Sequence, residues 1–247
     1  MNAPGLAHQR HRLAFRLASV VLSACVVTGI ARAQYFDRPE YRPSEARYLY
    51  AGVMQRDFVP LGSNPVNDSL AIRFKRIMPF LGFHQGMVDV VFGYTTYSLR
   101  GFSRSSIFFG TTVATEVPIS FSRSNALLLP VMISADFTKA EAPGSERDNF
   151  NVGSVGIGAG LKYRFMAGGI EFTLQAAEVA SFSFEGLSTQ TGFSAVTLAD
   201  AALHLKDISI LEGIVIAYRF RLQTWSMSDD RFNYRSVSHG PSIGVMF

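Results

Sequence analysis

The sequence has 247 residues, of which 48% are hydrophobic, with 21 Gly, 21 Phe and a single Cys. Its formal charge of +4 is local: four of the 23 Lys and Arg fall in residues 1–33, which carry no Asp or Glu, so the rest of the chain sets 19 bases against 19 acids. That balance removes the electrostatic case for nucleic-acid binding, and a lone Cys25 excludes an internal disulfide.

Residues 1–33 read as a cleaved signal peptide. Arg10, Arg12 and Arg16 form a basic start, Leu17 to Ile30 an apolar stretch, and Ala31-Arg32-Ala33 a small-x-small cleavage site before Gln34. The apolar stretch is too short to span a bilayer comfortably. Leu22-Ser23-Ala24-Cys25 resembles the lipobox of bacterial lipoproteins, in which Cys25 would be acylated, but Val26, Val27 and Ile30 continue the apolar run where such proteins turn polar. Residues 34–69 read as an N-terminal lead-in. Within them, Ala46, Leu49, Tyr50, Val53 and Met54 follow helical spacing, so residues 45–58 suit either a plug helix or a first strand.

From residue 70 to 247 the pattern has a period of two. In VGSVGIGAGLKYRF, Val155, Ile157, Ala159, Leu161, Tyr163 and Phe165 share one face, and Gly156, Gly158, Gly160, Lys162 and Arg164 the other. The same alternation runs through Met87–Leu99, Ser106–Val117, Ile170–Gln175 and Ile214–Trp225, less regularly through Asn125–Asp136 and Thr191–Leu205, and again from Tyr234 to Phe247. Short connections at His84–Gly86, Ile119–Ser124, Met166–Gly169 and Lys206–Ser209 alternate with longer polar ones at Arg100–Ser105, Thr138–Asn149, Glu185–Gln190 and Ser226–Asn233. Long strands, short turns on one side and long loops on the other predict an all-β, antiparallel transmembrane barrel. The count is eight to ten strands, with ten preferred. The apolar face then looks outward and the polar face inward. Asp89, Glu116, Lys162, Arg164, Glu171, Asp200, Arg219 and Arg221, with His204, are the predicted lumen-lining side chains. Aromatic girdles are expected at both rims, with Tyr97, Phe102, Phe137, Phe150, Phe193 and Trp225 on the loop side.

The chain ends on Phe247, with Val245 and Ile243 at alternate positions before it. This ending resembles the C-terminal signal of bacterial outer-membrane β-barrel proteins. The resemblance implies a location in the outer membrane of a Gram-negative-type bacterium, contact with its lipid, and recognition of Ile243, Val245 and Phe247 by the barrel-assembly machinery. No characterised subfamily is indicated.

Candidate catalytic motifs fare poorly. GPSIG at Gly240–Gly244 matches G-x-S-x-G, which needs a strand–turn–helix elbow, and only three residues follow Gly244. In GSVGIGAG, Gly156 and Gly158 lack the third Gly at the spacing of a nucleotide loop, and no crossover helix follows. His84, His204 and His239 lack partners at metal-ligand spacing, and His239 and Ser242 have opposite parity. The expectation is therefore a monomer that is not an enzyme and needs no cofactor or metal. Its role would be structural, surface-binding through ligands or partners at the long loops, or small-solute permeation. The alternatives are a soluble lipocalin-like barrel around an apolar ligand, which demands the opposite polarity, and a barrel enzyme acting on membrane lipids.

Overall fold

A computed structural model describes residues 46–61, 71–144, 148–186, 190–208 and 211–247. The proposed signal peptide with Cys25, and the lead-in up to residue 45, lie outside these. Ten strands follow in order: β1 Arg47–Pro60, β2 Phe74–Gln85, β3 Val88–Leu99, β4 Phe102–Phe121, β5 Asn125–Ala140, β6 Phe150–Ala167, β7 Ile170–Glu185, β8 Thr191–Ile208, β9 Leu211–Met227 and β10 Tyr234–Met246. Each pairs antiparallel with its sequence neighbours, and β10 returns to β1 through partners running from Tyr48↔Met246 to Pro60↔Tyr234. The ring is closed, so it has no free edge strand. Among the described residues no helix is long and apolar enough to cross a membrane; crossing by strands is a separate matter.

The barrel therefore begins at Arg47, inside the segment read as a lead-in, and residues 47–60 are a strand and not a helix. Apolar side chains fall on both faces of this strand, which explains the helical spacing. Leu49 and Val53 face outward, while Tyr50 and Met54 face an apolar patch of the lumen formed with Tyr48, Phe80, Val215 and Met246. A second difference lies at Arg100–Ser105. That segment is a two-residue hairpin, with Arg100 and Gly101 at φ of 54° and 81° between the partners Leu99 and Phe102. Two positive φ values make this a type I′ turn, whose twist suits a tight connection.

Polarity is the decisive feature. Ile157, Leu161, Ile216 and Val245 are exposed by 60%, 55%, 48% and 43% on the outer surface, within a continuous apolar band that includes Ile77, Leu81, Ile133 and Ile243. The side chains of Lys162 and Arg219 are enclosed, at 17% and 22% exposure. A soluble protein does not carry an apolar surface that encircles it. The lipocalin-like alternative requires the inverse arrangement and is overturned by this polarity.

Interior packing depends on small residues opposite rings. Gly82 leaves room for the ring of Tyr50, and a methyl group there would overlap it. We expect Gly82→Ala to destabilise the barrel by about 1–3 kcal/mol, read from urea titration of heat-modifiable migration. Ile157→Arg, which places a charge in the lipid-facing band, should cost about 2–4 kcal/mol in the same assay, whereas Ile157→Leu should be silent.

Candidate functional site in the lumen

Inward positions of neighbouring strands carry acids and bases at matching heights, and the closed register brings them within reach. Arg219 on β9 binds Asp89 on β3 with two nitrogens, Nη1 to Oδ2 at 3.0 Å and Nη2 to Oδ1 at 3.3 Å. Tyr50 donates to the same carboxylate at 3.0 Å and accepts from Arg219 at 2.8 Å, and His84 Nδ1 lies 3.4 Å from Asp89. Lys162 reaches Glu116 at 2.6 Å, and Lys206 reaches Glu171 at 2.7 Å. Higher in the lumen, Arg221 donates to Asp136 at 2.8 Å while Gln223 donates to the other oxygen at 3.0 Å. Ion pairs of this kind offset the desolvation of charges in a narrow interior.

The predicted inward residues are thus distributed as follows. Asp89, Glu116, Lys162, Glu171, Asp200, His204, Arg219 and Arg221 border a cavity of about 220 Å³. Arg164 is buried but does not border it. Asp200 stands opposite Arg219 in the β8–β9 register. At the chain end, Ile243, Val245 and Phe247 face outward, and Val245 stands opposite Leu49 where β10 closes against β1. The cavity reaches the short-turn rim, where Gly86 and Met87 border it, and ends below a layer containing Arg56, Phe108 and Gln223.

Arg56 was not readable from sequence, because the face of its segment depended on whether that segment was helix or strand. It is almost fully buried, donates to Ser236 at 3.1 Å, and lies 5.6 Å and 5.7 Å from the ring centroids of Phe58 and Phe108. Asp136, at the end of a less regular strand, was also missed, although its parity with Ser134 and Met132 marks it as inward.

Above Arg56 the loop-side end of the lumen is filled with rings. Phe58 stacks on Tyr234 at 4.7 Å and on Phe74 at 5.4 Å, Phe74 stacks on Tyr97 at 4.2 Å, and Phe150 meets Trp225 edge-on at 5.1 Å. Phe58, Phe150 and Trp225 have no exposed surface. Tyr97, Phe150 and Trp225 were expected in the loop-side girdle; they are interior instead. Their parity with Thr95, Val152 and Gln223 already pointed inward. Phe102, Phe137 and Phe193 do face outward.

The other motifs lie within strands of the barrel wall. Ser242 is buried on the inner face, whereas His239 faces outward and meets the hydroxyl of Tyr218 at 2.7 Å. GSVGIGAG lies within β6. Among the described residues no three His, Cys, Asp or Glu are grouped to hold a metal.

A closed antiparallel ring with an apolar exterior and an ion-paired interior defines the class: a transmembrane β-barrel of the bacterial outer-membrane type. The chain is similar in structure to the outer membrane protease OmpT from Escherichia coli, at 9% identity and a TM-score of 0.39, over 85% of this chain and 99% of that one. It is also similar to Neisserial surface protein A, at 11% identity and a TM-score of 0.29, over 84% and 100%. A third likeness is to Ail, the attachment invasion locus protein of Yersinia pestis, at 9% identity and a TM-score of 0.22, over 83% and 100%. No protein-family model matches the sequence, and no curated protein matches it. Strand closure and polarity, not these distant likenesses, carry the assignment.

Removing Asp136 strands Arg221 and Gln223 in the lumen close to Arg56. Asp136→Ala should destabilise the barrel by about 3–5 kcal/mol, and adding Arg221→Met should restore a large part of that loss in urea unfolding.

Proposed function

We propose that the protein is a sealed outer-membrane barrel that holds its loop face at the cell surface, in a structural or surface-binding role, and neither conducts solutes nor catalyses a reaction. The observation that carries this reading is the aromatic cap. A diffusion pore needs a continuous wet path, and here Phe58, Phe150 and Trp225 fill the lumen above the charged cavity. Each ring pair adds about 0.5–1.5 kcal/mol beyond its area burial, so the plug is a stable part of the interior. The ion pairs below it join Asp89, Glu116, Glu171 and Asp136 each to a base, as in a packed barrel of modest strand number. A catalytic reading on lipids finds little support, since Ser242 and His239 face apart.

The loop face is shaped by its own hydrogen bonds. Asn149 accepts from the Ala142 amide at 2.8 Å, and Asn233 accepts from the Met227 amide at 2.6 Å. Asp229 caps the short 3-10 turn Asp230–Phe232 and binds Arg231 at 2.7 Å. Loops held on a rigid scaffold suit recognition.

In planar bilayers the wild-type barrel should give no conductance steps above background; clear steps would remove the sealed-barrel reading. Phe58→Ala with Trp225→Ala should introduce small steps. The hydrogen bond from Arg231 also holds the Asp229 carboxyl below its ordinary range. A depressed carboxyl contributes stability above its unfolded pKa and loses it as pH falls through the folded value. Hydrogen-exchange protection of Ser228–Asn233 should therefore hold at neutral pH and fade only in acid below the usual carboxylate range. In Asp229→Asn it should be weak at every pH.

A further inference from the structure

The ring is closed unevenly. The ladder between β2 and β3 covers Gln85↔Val88 to Phe80↔Gly93 and stops. Beyond that point β2 pairs only with β1, as far as Phe74, and β3 only with β4, as far as Leu99. Pro79 is the cause. The Gly86 amide bonds to Ala46 of the β1 side, so the amides of odd-numbered β2 residues face β3. Position 79 is one of these, and a proline there has no N–H for the carbonyl of Tyr94. Two residues on, the carbonyl of Ile77 accepts from the Thr95 hydroxyl at 2.9 Å, in place of a backbone donor. The loop-side half of this seam is held by side chains. Arg76 reports the opening: it shares the inward parity of Arg56 and Met78 yet is exposed.

The charge around this seam is one-sided. Between Ala71 and Thr115 the sequence has five cations, Arg73, Lys75, Arg76, Arg100 and Arg104, and one acid, Asp89, which lies in the lumen. Arg73, Lys75, Arg76 and Arg100 are exposed at the loop end, and among the described residues none of them forms an ion pair. Asp57 stands opposite Lys75 in the register without bonding to it, leaving the patch cationic. Directly below lie Ile77, Leu81, Phe92 and Tyr94, exposed by 67%, 64%, 46% and 45%.

We propose that the loop-side half of the β2–β3 seam is a docking site for a phosphorylated lipid of the outer leaflet. Arg73, Lys75 and Arg76 take the phosphate, and the apolar surface from Ile77 to Tyr94 takes the acyl chains. Charge complementarity selects this occupant: the head must be anionic, and only a lipid brings a tail to the apolar surface below. Guanidinium groups match phosphate oxygens in pairs, and the reduced dielectric at the membrane rim strengthens the contact. The inference rests on the reading of the outer surface as lipid-facing, and is independent of whether the lumen conducts.

The test is native mass spectrometry of the purified full barrel in detergent, titrated with bis-phosphorylated lipid A. Folding of each variant is checked by heat-modifiable migration. Wild type should retain the lipid, and Arg73→Gln with Lys75→Gln and Arg76→Gln should weaken retention about a hundredfold, at about 1 kcal/mol for each cation. Pro79→Val, which restores the missing donor without altering charge, should weaken it several-fold; unchanged retention there would overturn the part played by the seam. Dephosphorylated lipid A should not be retained, and inorganic phosphate should not displace the lipid. Displacement by phosphate would assign the cations to a free anion and remove the lipid proposal. Equal retention by the triple variant, or an equal loss in Arg47→Gln at the opposite rim, would overturn it outright.

Discussion

Everything in this molecule follows from the demand that backbone amides and carbonyls find partners away from water. In hydrocarbon an unpaired peptide group costs several kcal/mol, and a closed ring of strands answers that cost without an edge. The return of β10 to β1 is therefore the event on which the structure depends. Once it is made, every odd–even choice along ten strands becomes a choice between lipid and lumen. Among the described residues the ladder skips two pairs beside Pro241 and two beside Pro130 and then resumes, whereas beside Pro79 it stops for the rest of the seam, which makes that stretch the most informative part of the wall.

The lumen answers a second demand. Charges that point inward lose their water and need each other. The Asp89–Arg219–Tyr50 and Asp136–Arg221–Gln223 groups meet it with two-oxygen recognition, and Lys162–Glu116 with a single short contact. Arg56 is the exception in kind: its partners are hydroxyls and ring faces. It stands at the boundary between the charged half and the aromatic half of the interior. That boundary divides a cavity reaching the turn rim from a plug at the loop rim, and gives the two ends of the barrel different properties.

Much of this was legible in the strand pattern. Lys162 and Ile157 lie on opposite faces because their parity differs, and no tertiary knowledge is needed to see it. The same rule, applied strictly, would have sent Tyr97, Phe150 and Trp225 inward. The expectation of an aromatic girdle displaced it, because position along the strand and parity compete whenever an aromatic falls near a rim. β1 was ambiguous for a different reason: apolar residues on both of its faces erase the alternation, and a helix fits the same letters.

What the sequence alone determined is the alternation, and with it the class: faces of opposite polarity follow from where successive side chains point on an extended chain. Only the tertiary structure decided which inward groups meet, that Arg56 lies between two rings, that the loop end of the lumen is filled, and that the β2–β3 ladder stops short. Those outcomes depend on the relative shift of strands far apart in the chain. Parity assigns a side chain to a face, but it carries no information about the height at which a neighbour thirty or a hundred residues away will stand beside it.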